Sequence, residues 1–419
     1  MRRLAPLALA GLLAAAPLRA QDRPSCAASC HGLETTAFEA GVHAGALGCV
    51  DCHGGDPAAV RDKAGSHAAS AGFAGKPSRE RIPELCGNCH ADTQRMLAFA
   101  LPTDQLAHYR NSPHGRAVLQ RGDTSAAVCT DCHDSHRILA GADPQAPVHR
   151  ANQPATCSRC HADAALMERH DLPSDVVAEF TDSVHGRALL VDQSRGAPAC
   201  ADCHGAHGTA PPGVDSIVNV CAHCHATTGD AYRKSPHFTS DRMRCGACHE
   251  ALQDEPGFLR SGCAACHGAH AIALPGAWML GGSGVGHCGH CHREPDGSGG
   301  VIAAIIEGTQ RLQAAMDGTL GSLRAAKQSG LFLENEDVYL RESLRTLVSV
   351  KPLSHSMDAD LITAHLQDGI KRQDRTLEMI ERKGDQLRDR RLVLGGAALL
   401  LLILAGLLAA KLDTLRKLS

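Results

Sequence analysis

"CTDCHDSH", residues 129–136, decides how this chain is read. Two cysteines stand three apart, a histidine follows the second directly, and another histidine comes three residues later. On a helical turn, residues i, i+3 and i+4 share one face, so both thiols and the first imidazole point the same way. The Cys-x-x-Cys-His unit occurs nine times in strict form. The copies are Cys49, Cys52 and His53; Cys86, Cys89 and His90; Cys129, Cys132 and His133; Cys157, Cys160 and His161; Cys200, Cys203 and His204. They continue with Cys221, Cys224 and His225; Cys245, Cys248 and His249; Cys263, Cys266 and His267; and Cys288, Cys291 and His292.

This unit is the attachment signature of c-type haem, in which the thiols bond the porphyrin edge and the histidine ligates iron. Zinc knuckles use four protein ligands and fix no histidine after the second cysteine. A redox dithiol does not need that histidine either. The nine copies hold 18 of the 20 cysteines. The other two, Cys26 and Cys30, stand in "CAASCH", one residue wider, with His31 in the usual place. Positions i and i+4 still share a helical face. It reads as a tenth site, giving ten covalent haem c groups; the alternative is a Cys26–Cys30 disulfide, which an oxidising compartment permits.

The ends of the chain agree with export. Arg2 and Arg3 precede the apolar run "LAPLALAGLLAAA", the pattern of a signal peptide ending after Ala16 or Ala20. A second uncharged run, "LVLGGAALLLLILAGLLAA", covers Leu392 to Ala410. As a helix it spans roughly 28 Å, close to a hydrocarbon thickness of about 30 Å. Basic residues flank it on both sides, so orientation follows from the attachment sites, which place residues 22–391 outside and leave a short cytoplasmic tail. The organisation expected is a signal peptide at 1–20, a decahaem domain at 21–295, a helical hairpin or stalk at 296–391, a transmembrane helix at 392–410 and a tail at 411–419.

Composition bears on the fold. Aromatic residues make up only 3% of the chain, too few for a conventional core, so the porphyrins must fill it. The fold class expected is mostly α and irregular in a haem-packed head, then a helical stalk and one transmembrane helix. Formal charge is −3, and ten ferric bis-histidine haems at about −1 each carry it to roughly −13. Loss of Arg2, Arg3 and Arg19 with the signal makes it about −16, a surface that steers a basic redox partner. No basic stripe suggests nucleic acid.

Residues 86–139 align with 157–210 at a constant offset of 71, with 22 identities in 54 positions, of which six belong to the attachment units. The unit of repetition is a two-haem module, and a shortened third copy begins at Cys221. The repeat sorts the sixteen histidines that are not motif residues. His114 and His185 match in "SPHGRA" and "SVHGRA"; His136, His207 and His270 close Cys-His-x-x-His units; His237 recurs in "YRKSPH". His43 and His67 lie in comparable places upstream. These eight are the expected distal iron ligands. A histidine three beyond the motif histidine cannot reach round to its own iron, but it can reach a neighbour's. His149 and His355 would complete ten. His108 and His170 are not kept by the repeat, and Met96 and Met167 are expected to pack helices rather than ligate.

Beyond His292 helical periodicity begins. Ile302, Ile305, Leu312, Met316, Leu320 and Leu323 form one stripe, and Ile362, Leu366, Ile370, Leu377, Ile380 and Leu387 form another that runs into the apolar segment. His355 falls between them, after Pro352, at a helix–helix turn.

The stretches "YRNSPHGRA…CTDCHDSH" and "CVDCHGGDP", with the exported start and C-terminal anchor, resemble the membrane-bound multihaem cytochromes c. The head is similar to the cytochrome c3-like superfamily, with local similarity to octahaem hydroxylamine oxidoreductase and tetrathionate reductase relatives, over residues 26–292. The resemblance implies bis-histidine haems in a wire between a quinol-linked membrane oxidoreductase and a periplasmic or extracellular acceptor. Ten sites and a C-terminal anchor depart from the anchored quinol dehydrogenases of that group. The alternative expectation is a reductase of a small nitrogen or sulfur oxyanion with one open iron. The stalk is a possible surface for homo- or hetero-oligomers.

Overall fold

The computed structural model describes residues 31–59, 62–212, 217–239, 262–276, 278–281, 298–331, 333 and 336–418. Cys26, Cys30 and the motifs beginning at Cys245 and Cys288, with His249 and His292, lie outside these. Among the described residues every regular element is a helix. They divide into two compact units, one running to Pro212 with His270–Ala273, the other holding 213–269 and everything after Leu274. The Cys221 and Cys263 motifs belong to the unit that also holds the helical arm.

In the first unit the 71-residue repeat appears as two copies of one arrangement. The first copy consists of α1 (Ile82–His90), α2 (Gln105–Asn111), α3 (Pro113–Arg121) and α4 (Cys129–His133). The second consists of α5 (Gln153–His161), α6 (Val176–Asp182), α7 (Val184–Leu190) and α8 (Cys200–His204). The peptide's own core is thin. Its buried apolar residues are mostly small: Ala117, Val118, Val128, Ala146, Ala197 and Ala199, with Leu189 and the two repeat methionines, Met96 and Met167. Both methionines pack as the sequence suggests.

Each copy is tied across by one arginine. Arg79 Nη2 donates to Asp131 Oδ2 at 2.5 Å and to the Ala126 carbonyl at 2.8 Å. Its counterpart Arg150 donates through Nη2 to Asp202 Oδ2 at 3.0 Å and to the Ala197 carbonyl. All three positions obey the offset of 71, as do Pro83 and Pro154 in the first turns of α1 and α5. The repeat therefore begins at Arg79, seven residues before the first cysteine. Asp131 and Asp202 also accept from the backbone N–H of Val128 and Ala199, both at 2.7 Å, which satisfies one free N–H at the start of α4 and of α8.

In the second unit, α9 (Ile217–Cys224), α10 (Ala226–Lys234) and α11 (Cys263–His267) carry the third copy. The arm is a small bundle of three helices, the last of them long: α12 (Ser298–Gln328), α13 (Glu336–Leu353) and α14 (Ala359–Leu418). The expected stripes meet in two clusters. Leu312, Met316, Val350, Ile362 and Leu366 form the upper one, and Leu323, Leu331, Leu333 and Ile380 the lower one. Between them lies a buried polar layer of Thr319, Thr346, Gln373 and Thr376 that hydrophobic periodicity does not reveal. Thr319 and Thr376 return their hydroxyls to carbonyls one turn back, at 2.9 and 2.8 Å, so neither is buried unsatisfied.

α14 is one unbroken helix of 60 residues, about 90 Å long at 1.5 Å per residue. Among the described residues, its part from Leu392 onward is exposed, and its leucines up to Leu415 are exposed by half or more. It is long and apolar enough to cross a membrane.

Leu366 is 1% exposed at the centre of the upper cluster. Leu366→Ala should destabilise the arm by about 2–5 kcal/mol. The check is a lowered thermal midpoint in far-ultraviolet circular dichroism, with the visible spectrum of the rest of the protein unchanged.

Candidate metal centres

Among the described residues each motif helix except α9, which ends at Cys224, ends at its histidine, and in four of them the next residue turns the chain. Gly54, Asp134, Gly205 and Gly268 all take φ between 67° and 78°, a region that favours glycine and that Asp134 adopts against its side chain. After His133, His204 and His267 that turn throws the histidine three residues later (His136, His207 and His270) away from its own motif and towards another. A second device delivers histidines from the helix pairs. Ser112 closes α2 and opens α3: its hydroxyl donates to the Tyr109 carbonyl at 2.7 Å and accepts from Gly115 N–H at 3.0 Å. Ser183 repeats this with Phe180 and Gly186 at the same distances, and Ser235 bonds Tyr232 and Phe238 likewise. His114, His185 and His237 each follow such a serine by two residues.

These devices bring histidines together in pairs. Among the described residues, seven ring pairs each join one motif histidine to one of the ten expected distal histidines. They are His31 with His67 (6.0 Å between centroids), His90 with His43 (6.0 Å), His53 with His136 (6.1 Å) and His161 with His114 (6.1 Å). The others are His133 with His207 (6.1 Å), His204 with His270 (5.9 Å) and His267 with His355 (5.9 Å). The separation is nearly constant while the interplanar angle runs from 6° to 60°. Ring stacking would constrain the angle; a shared atom on the axis between two rings constrains only the distance. Two imidazole nitrogens each about 2.0 Å from one metal, with ring centres roughly 1.1 Å further out, place the centroids about 6.2 Å apart.

The pairs follow a rule. His90 and His161 each meet a histidine 47 residues upstream, His43 and His114. His53, His133 and His204 each meet the last histidine of a later Cys-His-x-x-His unit. His267 has no later unit and meets His355 from the arm, on the 3₁₀ turn Ser354–Ser356.

The rings are prepared to ligate. His53 Nδ1 donates to the Gly75 carbonyl at 2.9 Å and His204 Nδ1 to that of Ala210 at 3.1 Å. His67 and His355 do the same to Lys63 and Lys351, both at 2.9 Å. A carbonyl only accepts, so Nδ1 carries the proton and Nε2 keeps its lone pair, the arrangement typical of metal-bound histidine. Burial first, then the facing ring, holds His43, His114, His133 and His267 below the ordinary imidazole range and so neutral.

Thiols of different motifs also meet. Cys86 reaches hydrogen-bonding distance of Cys129, Cys157 of Cys200 and Cys221 of Cys263. Sharing one proton pushes the first thiol of each pair up and the second down. The two motifs of each module therefore stand edge to edge, and the third copy keeps this contact. Among the described residues no three His, Cys, Asp or Glu side chains gather around one point. Each ring pair there brings two imidazoles together, fewer donors than the four protein ligands of a structural zinc site.

His149 joins no such pair; it opens a 3₁₀ turn with Nδ1 buried. His185 and His237 lie on helices equivalent to that of His114. The surplus histidines have ordinary partners: His108 bonds Asp104, His170 Ser125 and His365 Ser349. The serine cap, by contrast, escaped the sequence reading. Its signal is present, since an aromatic residue three before the serine and a histidine two after it recur in all three copies.

No family model, no curated protein and no solved structure matches this chain.

A Cβ on Gly115 would lie 1.8 Å from the Tyr109 carbonyl oxygen, and one on Gly186 2.0 Å from that of Phe180. Gly115→Ala must therefore push α3 away from α2 and carry His114 off His161. The expected result is loss of one low-spin centre in the electron paramagnetic resonance spectrum of the metal-loaded protein, whereas Gly122→Ala leaves all of them.

Proposed function

We propose that this protein is an exported, membrane-anchored decahaem c-type cytochrome that carries electrons between a quinol-linked membrane oxidoreductase and an acceptor on the periplasmic or outer side. The observation that carries this reading is the set of seven histidine pairs, each joining a Cys…Cys-His motif to a distal histidine at one common separation. Haem c, once bound through the two cysteines of each motif, supplies a one-electron couple and the four equatorial nitrogens. The chain's part is to hold, orient and close each centre.

Closing matters most. A histidine on each face leaves no position for a substrate, which favours conduction over catalysis at seven of the ten sites. The edge-to-edge motifs of each module keep successive centres close, as single-electron exchange requires. The anchor follows from the exposed apolar length of α14, and the attachment chemistry assigns everything before it to the outer side. His355 stands 37 residues before Leu392, and the helix between Ala359 and Leu392 lifts it about 50 Å from the boundary of the apolar segment. Exchange at the His267–His355 centre is therefore with a partner whose redox group rises to that height, not with a quinol dissolved in the bilayer.

Two measurements test the reading. A pyridine haemochrome assay against protein mass should give ten haems per chain; nine, with a Cys26–Cys30 disulfide by mass spectrometry, removes the first site, and none removes the proposal. His355→Ala should convert one low-spin haem to high-spin. An unchanged spectrum in that variant takes the arm out of the ligand set.

A further inference from the structure

The two aligned copies differ at one place that touches the histidine pairs. His108 on α2 and Glu179 on α6 are equivalent positions, 71 apart, while Asp104 and Asp175 are retained four residues before them. Both helices run beside the last histidine of a Cys-His-x-x-His unit. In the first copy His108 Nε2 lies 3.2 Å from Asp104 Oδ2, and a Cβ on Gly208 would meet His108 Nδ1 at 3.8 Å, which puts this pair against His207. In the second copy the histidine is replaced by a carboxylate: Glu179 Oε2 lies 4.0 Å from His270 Nδ1. The centre of His133 and His207 thus faces one carboxylate bonded to a histidine, and the centre of His204 and His270 faces a carboxylate in that histidine's place.

A carboxylate beside the outer nitrogen of a metal-bound imidazole makes that ligand more basic and favours the more positive metal state. On the haem reading given above, we infer that Glu179 is a tuning residue that sets the centre held by His204 and His270 at a lower reduction potential than its repeat counterpart held by His133 and His207. The couple concerned is Fe(III) plus one electron to Fe(II), with no bond made or broken. Two centres built from one repeat are thereby made unequal, and electrons are biased from the second copy towards the first. Glu179 is 40% exposed on its side chain, so water screens part of the effect.

The test uses the full-length, haem-loaded protein in detergent, with haem counting and spectroelectrochemical titration of the α band. Glu179→Gln should move one of the one-electron components upward by threefold or more in its equilibrium constant, about 28 mV at 59 mV per tenfold. Glu179→Asp, which keeps the charge, should stay near the parent. His108→Glu, an independent variant in the other copy, should move a different component downward. Low-spin signals and haem count should not change in any of them. A full haem count with superimposable titration curves for Glu179→Gln overturns the tuning role. So does loss of a low-spin signal in that variant, which would mark Glu179 as a structural support. Protein without covalent haem overturns the cytochrome reading instead.

Discussion

The constraint on which the rest depends is a distance: two imidazoles from separate parts of the chain held about 6 Å apart, seven times over. The members of a pair lie from 36 residues apart (His31 and His67) to 88 (His267 and His355). A bridging atom between them closes a loop of that length, with the entropic consequence of a disulfide of similar span. This chain needs such closures. Its first unit buries chiefly alanine and valine, and small cores of that kind do not offset the cost of ordering the backbone. Under the proposed reading, folding and cofactor attachment are coupled, as they are for small metal-dependent domains.

The local hydrogen bonds serve that distance. Serine caps aim the histidines of the helix pairs, left-handed turns aim those of the Cys-His-x-x-His units, and backbone carbonyls hold Nδ1 of His53 and His204 so that Nε2 keeps its lone pair. Arg79 and Arg150 brace the first motif of each copy against the second. They are part-exposed ion pairs, worth about 1 kcal/mol or less as charges alone. Their further bonds to Ala126 and Ala197 are what make them braces, because each fixes the loop that leads into the second motif. The arm ends the series differently. It has no attachment motif of its own, yet its upper turn provides His355 where the preceding copies use a later motif's histidine.

Much of this was legible along the chain, because it is written in short spacings. Motif positions, the two-motif repeat, the apolar C-terminal helix and the arm's two stripes all depend on residues within a few turns of each other. Among the described residues His43, His67, His114, His136, His207, His270 and His355 each stand opposite a motif histidine. Counting the repeat from its first cysteine hid Arg79 and Arg150, and reading only apolar residues hid the threonine and glutamine layer of the bundle.

What the sequence by itself determined is therefore the inventory: which side chains are available, at what spacing, and on which helices. What only the tertiary structure decided is the pairing. Nothing near His53 marks His136 as its partner, and nothing near His267 marks His355, because imidazoles meeting across 83 or 88 residues are chosen by how helices dock and turns exit. The contrast between Glu179 and His108 belongs to the same class. On the page it is one mismatch in an alignment; its meaning lies in the histidine that each helix is folded against, a relation set through space rather than along the chain.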